Sequence, residues 1–293
     1  MPRRNIDDLP PAKYKYRRDV KAAIEKVQAA RAEDRLRAQR LSWPSVQSSD
    51  IVDADKAVAL SDVLLAASDG KVIPATMASA TYLRRQRIKL ASSLWQFLDE
   101  RPLAAATFTL LSKDWQVPVD ELEKADPRRV LNGCRSDLIR QGAGSADGAI
   151  IMANDGQFEP NRKIYGLHVH GVAVGEEMIR SIDSLRGLAK YRPVKASAAV
   201  AGISRPVRIS REPLQNLPHP LTYLLKSYWP CRWAPDSDEE QQRKERRKRR
   251  IPEPYHSQLL LWLNQWRLSD MTLMIGMYVG ATGFALSPRK TVG

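Results

Sequence analysis

The stretch Ile164 to Gly175, IYGLHVHGVAVG, sets two histidines two residues apart in an otherwise apolar run. Side chains alternate between faces along a strand, so His168 and His170 face the same way. Leu167, Val169, Val172 and Val174 mark that strand as largely buried. Two neutral imidazoles at this spacing can share one metal ion; the competing account is a pair of structural histidines, partly exposed or hydrogen-bonded.

The chain of 293 residues has length for one large domain, or for a domain with appendages. A formal net charge of +14 makes polyanions the first class of partner, nucleic acid ahead of anionic membrane, with general solubility as the alternative. Cys134 and Cys231 offer neither a disulfide framework nor a CxxC zinc site, which suits a reducing compartment. Met1 to Pro10 lacks the apolar core of a signal peptide, and a cytoplasmic location is expected.

Asp19 to Arg40 is rich in Ala, Lys, Arg and Glu and free of Gly and Pro, which predicts a long charged helix ended by Trp43 and Pro44. It is a solvated arm or a DNA-contacting one. Helical patterns resume at Asp53 to Ala67 and at Thr76 to Leu98, where Tyr82, Arg84, Arg85, Arg87 and Lys89 lead into Trp95 and Phe97. That stretch either grips duplex DNA or packs on the main domain with its cations solvated. Ala104 to Leu111 reads as a short buried strand, and Val119 to Arg140 as a helix divided by Pro127. A loop, Gly142 to Gly148, leads to a second strand, Ala149 to Ala153, then to a hairpin turn at Asn154, Asp155 and Gly156. After the histidine strand come a helix at Glu176 to Lys190, a strand or hairpin at Ala198 to Ile203 with Val207 to Ser210, and a helix at Leu221 to Trp229.

Strand, helix, strand, strand, helix, strand, helix is the order of an α+β protein. It predicts a ferredoxin-like or RRM-like antiparallel sheet with helices on one face and the histidine strand central. Residues 1–100 form a basic helical N-terminal region ahead of this unit at 101–233, and 234–293 form a basic linker and an apolar C-terminal region. In the linker, Asp236 to Arg250 ends in RKERRKRR, a phosphate-contacting or a solvated segment. Gln258 to Trp266 reads as a helix. Met271 to Leu286 is apolar but shorter than the roughly 20 residues that cross a bilayer, so it is expected against the core or a partner subunit. His219 and His256 lack ligand-like neighbours, and no GxxxxGK[ST] sequence suggests a built-in helicase.

Three short motifs follow one another: Phe108 to Leu111 (FTLL), His168 to His170 (HVH) and Tyr223 to Lys226 (YLLK). Together they resemble the motifs of the HUH endonucleases, the superfamily of rolling-circle replication initiators, relaxases and certain single-strand transposases. The resemblance spans about Arg101 to Trp233, and a tyrosine placed after the histidines is the order of initiators and some transposases. It implies a metal-dependent nicking and joining enzyme that acts on single-stranded or hairpin DNA at the origin of a plasmid, phage or similar element. Bacterial cytoplasm and a host helicase and polymerase are the implied setting; no membrane is. Tyr223 would be the nucleophile, leaving a 5′-phosphotyrosine and a free 3′-hydroxyl, with Lys226 beside the phosphate. His168 and His170 would hold Mn2+ or Mg2+, with zinc left open.

The third ligand is open at this level. Glu159 is the first choice, a short hairpin's reach before His168, because turn duty accounts for Asp155 and because Glu176 and Glu177 open the next helix. Tyr228 would lie about 140° around a helix from Tyr223, so it is expected to pack, while Trp229 and Trp233 stack bases or anchor that helix. Two other accounts remain: a transposase of the same superfamily, and a non-catalytic, RRM-like nucleic-acid-binding protein with structural histidines.

Overall fold

The computed structural model describes residues 5–72, 74–197, 200–210, 214–232 and 249–288. Five helices come first: α1 (Tyr14–Ala23), α2 (Val27–Leu41), the single turn α3 (Pro44–Gln47), α4 (Ala54–Ser68) and α5 (Ala80–Asp99). The long charged helix expected from Asp19 is two helices. Ile24, buried and extended, ends α1, and Val27 restarts the chain as α2. α4 and α5 begin where capping chemistry dictates, at Asp53, which accepts the Lys56 N–H, and at Ser79, which accepts the Tyr82 N–H. The buried Asp34 carboxylate adds a second cap to α5, accepting from the main chain of Ala80 and Thr81. Arg84 and Arg87 of the basic stretch bond Glu25, and Lys89 bonds the Asp7 carbonyl, so these three cations serve packing within the helical layer.

The sheet follows. Its long strands are β1 (Ala105–Pro118), β2 (Ala149–Glu159) and β3 (Ile164–Val174), with α6 (Pro127–Leu138) between the first two and α7 (Glu176–Ser184) after the third. Next come β4 (Val207–Ile209), α8 (His219–Thr222), β5 (Pro230–Cys231), β6 (Arg249–Arg250), α9 (Tyr255–Asn264), α10 (Leu268–Met271), β7 (Thr272–Ile275), β8 (Met277–Val279) and β9 (Phe284–Leu286). The order is β4-β1-β3-β2-β5-β6, with β7 also on β2. Pairing is antiparallel except between β2 and β5, so the protein is α+β with a mixed, mainly antiparallel sheet and β3 between two long neighbours. α6 starts at Pro127, capped by Asp126, as the proline in the sequence predicts. One buried cluster runs from Ile6 to Phe284, so the N-terminal helices, the sheet and the C-terminal strands share a core.

Four local expectations are corrected. The Asn154-Asp155-Gly156 segment is strand interior, and the hairpin turns at Pro160 to Lys163, where Lys163 has a φ of 51°. Gly156 is needed there because the Trp229 ring lies 2.3 Å from where a Cβ would stand. The helix expected at Leu221 to Trp229 is the single turn α8, followed by turns that bury Leu224, Leu225 and Trp229. Pro230 disfavours helical backbone at Trp229, and the Ser227 carbonyl is taken by the Arg37 guanidinium at 2.7 Å. α7 ends at Ser184 rather than Lys190 and gives way to two 3-10 turns. Ile203 makes only an isolated bridge to Val194; Ala198 and Ala199 lie outside the described residues. The apolar run Met271 to Leu286 supplies β7, which adds to β2, and the β8-β9 hairpin. Among the described residues no helix is long and apolar enough to cross a membrane. Trp233 and all of Asp236 to Arg250 except Arg249 and Arg250 also lie outside them.

Candidate functional site

Strand register assembles the site. Across β2 and β3, Asp155 stands opposite His168, and across β1 and β3, Thr109 stands opposite His170, so all four side chains share one face. His168 Nε2 lies 3.1 Å from His170 Nε2 and 3.2 Å from Asp155 Oδ2, and His170 Nε2 lies 3.1 Å from the same oxygen. These three side chains form a cluster that could hold a metal ion. Glu159, the carboxylate favoured from sequence, is not part of it. It stands opposite Ile164, four residues or roughly 13 Å along β2 from Asp155, and its carboxylate pairs with Arg162.

The fit to a cation can be tested on the donor set. Three potential ligand atoms with mutual separations of 3.1 to 3.2 Å all lie within reach of a single ion at roughly 2.1 Å from each. The Lys226 ammonium binds Asp155 Oδ2 and sits 2.9 Å from His170 Nε2, so a positive charge is already bound by two of the three. An ammonium only donates, so His170 Nε2 offers its lone pair and the ring proton is on Nδ1, which donates to Thr109 Oγ1 at 2.9 Å. That is the tautomer a metal ligand needs, fixed by a partner on the neighbouring strand. Burial lowers the pKa of His170, with Asp155 opposing the shift, which favours the neutral ring. Burial would raise the Asp155 carboxyl, but His168, His170 and Lys226 outweigh it and hold the group well below the ordinary carboxylate range.

Tyr223 follows the last residue of α8 and is 52% exposed. It borders two adjoining clefts. One, of about 620 Å³, is lined by His170, Thr109, Arg208, Asn216 and His219 among others; the second, of about 240 Å³, is lined by Lys226, Tyr228 and Arg87. Tyr228 is therefore not turned away from Tyr223 as a continuous helix would require; it shares the smaller cleft but does not border the one containing His170. Arg208, directly across from Thr109 on β4, is exposed, and Arg205 and Arg232 are near enough to repel it. The sequence motifs point to the histidines, Tyr223 and Lys226. Asp155, the link from Thr109 to His170 and Arg208 depend on register, which no local pattern in the sequence gives. Chemically, the arrangement offers a cation site of two imidazoles and a carboxylate beside an open cleft with a phenol and several cations. A scan against protein-family models and searches of curated proteins and of solved structures find no match.

Proposed function

We propose that the protein is a metal-dependent endonuclease and strand-joining enzyme for single-stranded DNA, of the HUH type, that initiates rolling-circle replication of a plasmid, phage or similar element. The observation that carries this reading is the convergence of Asp155, His168 and His170 beside a cleft that Tyr223 borders. The order β4-β1-β3-β2, with α6 between β1 and β2 and α7 between β3 and β4, supports a ferredoxin-like, RRM-like layout for the catalytic unit.

In this reading Asp155, His168 and His170 hold a divalent ion, Mn2+ suiting the mixed donors somewhat better than Mg2+. When bound, the ion polarises the scissile phosphate and offsets charge in the transition state. Tyr223 Oη attacks phosphorus, forming an Oη–P bond as the P–O3′ bond breaks. The phenol gives up one proton and the departing 3′ oxygen gains one, so the exchange is balanced and reversible without a nucleotide triphosphate. Exposure of Tyr223 leaves it accessible to a strand entering the cleft, where Arg208 and the cations around it can neutralise neighbouring phosphates.

The test is a denaturing gel of labelled single-stranded oligonucleotides of varied sequence incubated with the protein and Mn2+. A detergent-resistant, protease-sensitive band that requires the metal supports the reading. Tight strand binding with no such band under any ion would favour a non-catalytic binding module, and joining of unlinked strands into new sites would favour a transposase.

A further inference from the structure

The Lys226 side chain stands between two spaces. On its inner side, together with Asp155, it borders a gap of about 30 Å³; on its outer side it borders the 240 Å³ cleft with Tyr223 and Tyr228. Its ammonium is bonded inward, to Asp155 and His170, the same two residues whose acceptor atoms would bind an ion. Asp155 is 2% exposed, and a buried carboxylate without a countercharge is costly; the Lys226 ammonium supplies that countercharge here. A divalent ion and this ammonium cannot both use the single lone pair of His170 Nε2, which the ammonium takes at 2.9 Å and which lies 3.1 Å from both Asp155 Oδ2 and His168 Nε2.

We infer that Lys226 is the site's internal placeholder: it occupies the cation position when metal is absent, and an incoming divalent ion displaces it outward into the cleft beside Tyr223. The inference rests on the proposed metal centre and adds to it a coupling. One exchange both loads the ion and delivers a positive charge to the place where a phosphate would meet the tyrosine. Lys226 then has two uses separated in time. Removing it tightens metal binding although it weakens the grip on DNA.

The experiment is a calorimetric titration of Mn2+ into the wild-type chain and into Lys226→Met, with no DNA present. Without an internal competitor the apparent dissociation constant should fall roughly tenfold or more. Lys226→Gln, which keeps a polar side chain, guards against loss of folding in the methionine variant and should show the same direction. In parallel, wild-type protein is acylated with an amine-reactive ester with and without Mn2+, and Lys226 is followed by peptide mass spectrometry. Displacement predicts several-fold faster acylation in the presence of the ion. Equal Mn2+ affinity in all three proteins, or a Lys226 whose acylation does not rise, would overturn the exchange and leave the metal centre standing. Failure of wild type and both variants to bind Mn2+ would overturn the metal centre itself, and the placeholder with it.

Discussion

Asp155 stands directly across the β2-β3 ladder from His168, with its Oδ2 3.2 Å from the imidazole Nε2. This pairing makes the histidine strand into a three-donor site, and it assigns separate roles to the two carboxylates of β2. Asp155→Asn, His168→Ala and His170→Ala should each abolish metal-dependent cleavage at micromolar Mn2+ while single-strand binding, carried by the cations, persists. Glu159→Gln should keep both, because that carboxylate serves Arg162. Gel assays of cleavage beside anisotropy measurements of binding check this, and loss of cleavage in Glu159→Gln with retention in Asp155→Asn would refute it.

Thr109 acts on the same site through His170. Its hydroxyl accepts the Nδ1 proton and so leaves Nε2 unprotonated. Thr109→Val preserves shape but removes that partner, and metal affinity should drop by about 10- to 100-fold, the usual consequence of losing a group that orients a ligand. Thr109→Ser should restore most of it. Calorimetry without DNA measures the effect, and an unchanged affinity in the valine variant would show that His170 is held by other means.

The helical layer is tied to the C-terminal segment by Glu33, whose carboxylate accepts from Arg250 at 2.6 Å through both oxygens and from the buried Arg37 at 2.8 Å. Burial would raise its pKa, but Arg250 and Arg37 prevail and lower it to about 2 from 4.5. A depressed carboxylate contributes stability that is present above pH 4.5 and is lost as pH falls from there toward 2. With its partial exposure to water the contribution is on the order of 2 to 3 kcal/mol. Denaturant unfolding should therefore show Glu33→Gln destabilised by about that amount near neutrality, with the gap to wild type closing between pH 4.5 and 2. A gap that stays constant over this range would mean that Glu33 contributes by packing alone.

How much of this was legible in the sequence depends on the range of the cause. The apolar run around the paired histidines identified their strand, Pro127 marked the break before α6 and Asp53 the start of α4, because those signals are local, whereas the pattern read from Thr76 began ahead of the Ser79 cap. Register is not local: whether Asp155 or Glu159 meets His168 depends on where the hairpin turns, and the turn chemistry of Asn154 to Gly156 was a false cue. Gly156 is required by Trp229, which arrives from a distant segment. The helix read over Leu221 to Trp229 was equally misleading: helical backbone stops at Thr222, the chain then turns to bury Leu224, Leu225 and Trp229, and the Ser227 carbonyl goes to Arg37 rather than to a continuing helix.

The Gly156 contact makes its own prediction. Gly156→Ala places a methyl group within the Trp229 ring and should destabilise the fold by about 1 to 3 kcal/mol, the range for forced overpacking. Trp229→Leu in the same chain should recover part of the loss by making room. Thermal or denaturant unfolding of the two single variants and the double variant measures the coupling; strict additivity would mean that the two residues do not meet.

The nucleophile is the last and sharpest test. Tyr223 and Tyr228 are both exposed and share the cleft with Lys226, so accessibility alone does not separate them. What does is that only Tyr223 also borders the cleft lined by His170, whereas Tyr228 lies near the Arg250 guanidinium. Removing the Tyr223 hydroxyl keeps the ring and most of its packing, so Tyr223→Phe should fold, bind Mn2+ and bind single-stranded DNA as wild type does, yet form no covalent protein–DNA product. Tyr228→Phe should still form it, at a rate within several-fold of wild type. Peptide mapping of the adduct then locates the linkage directly. An adduct carried on Tyr228, or one that survives in Tyr223→Phe and disappears in Tyr228→Phe, would assign the attacking oxygen to the other tyrosine and require the strand to approach the metal centre from the Arg250 side.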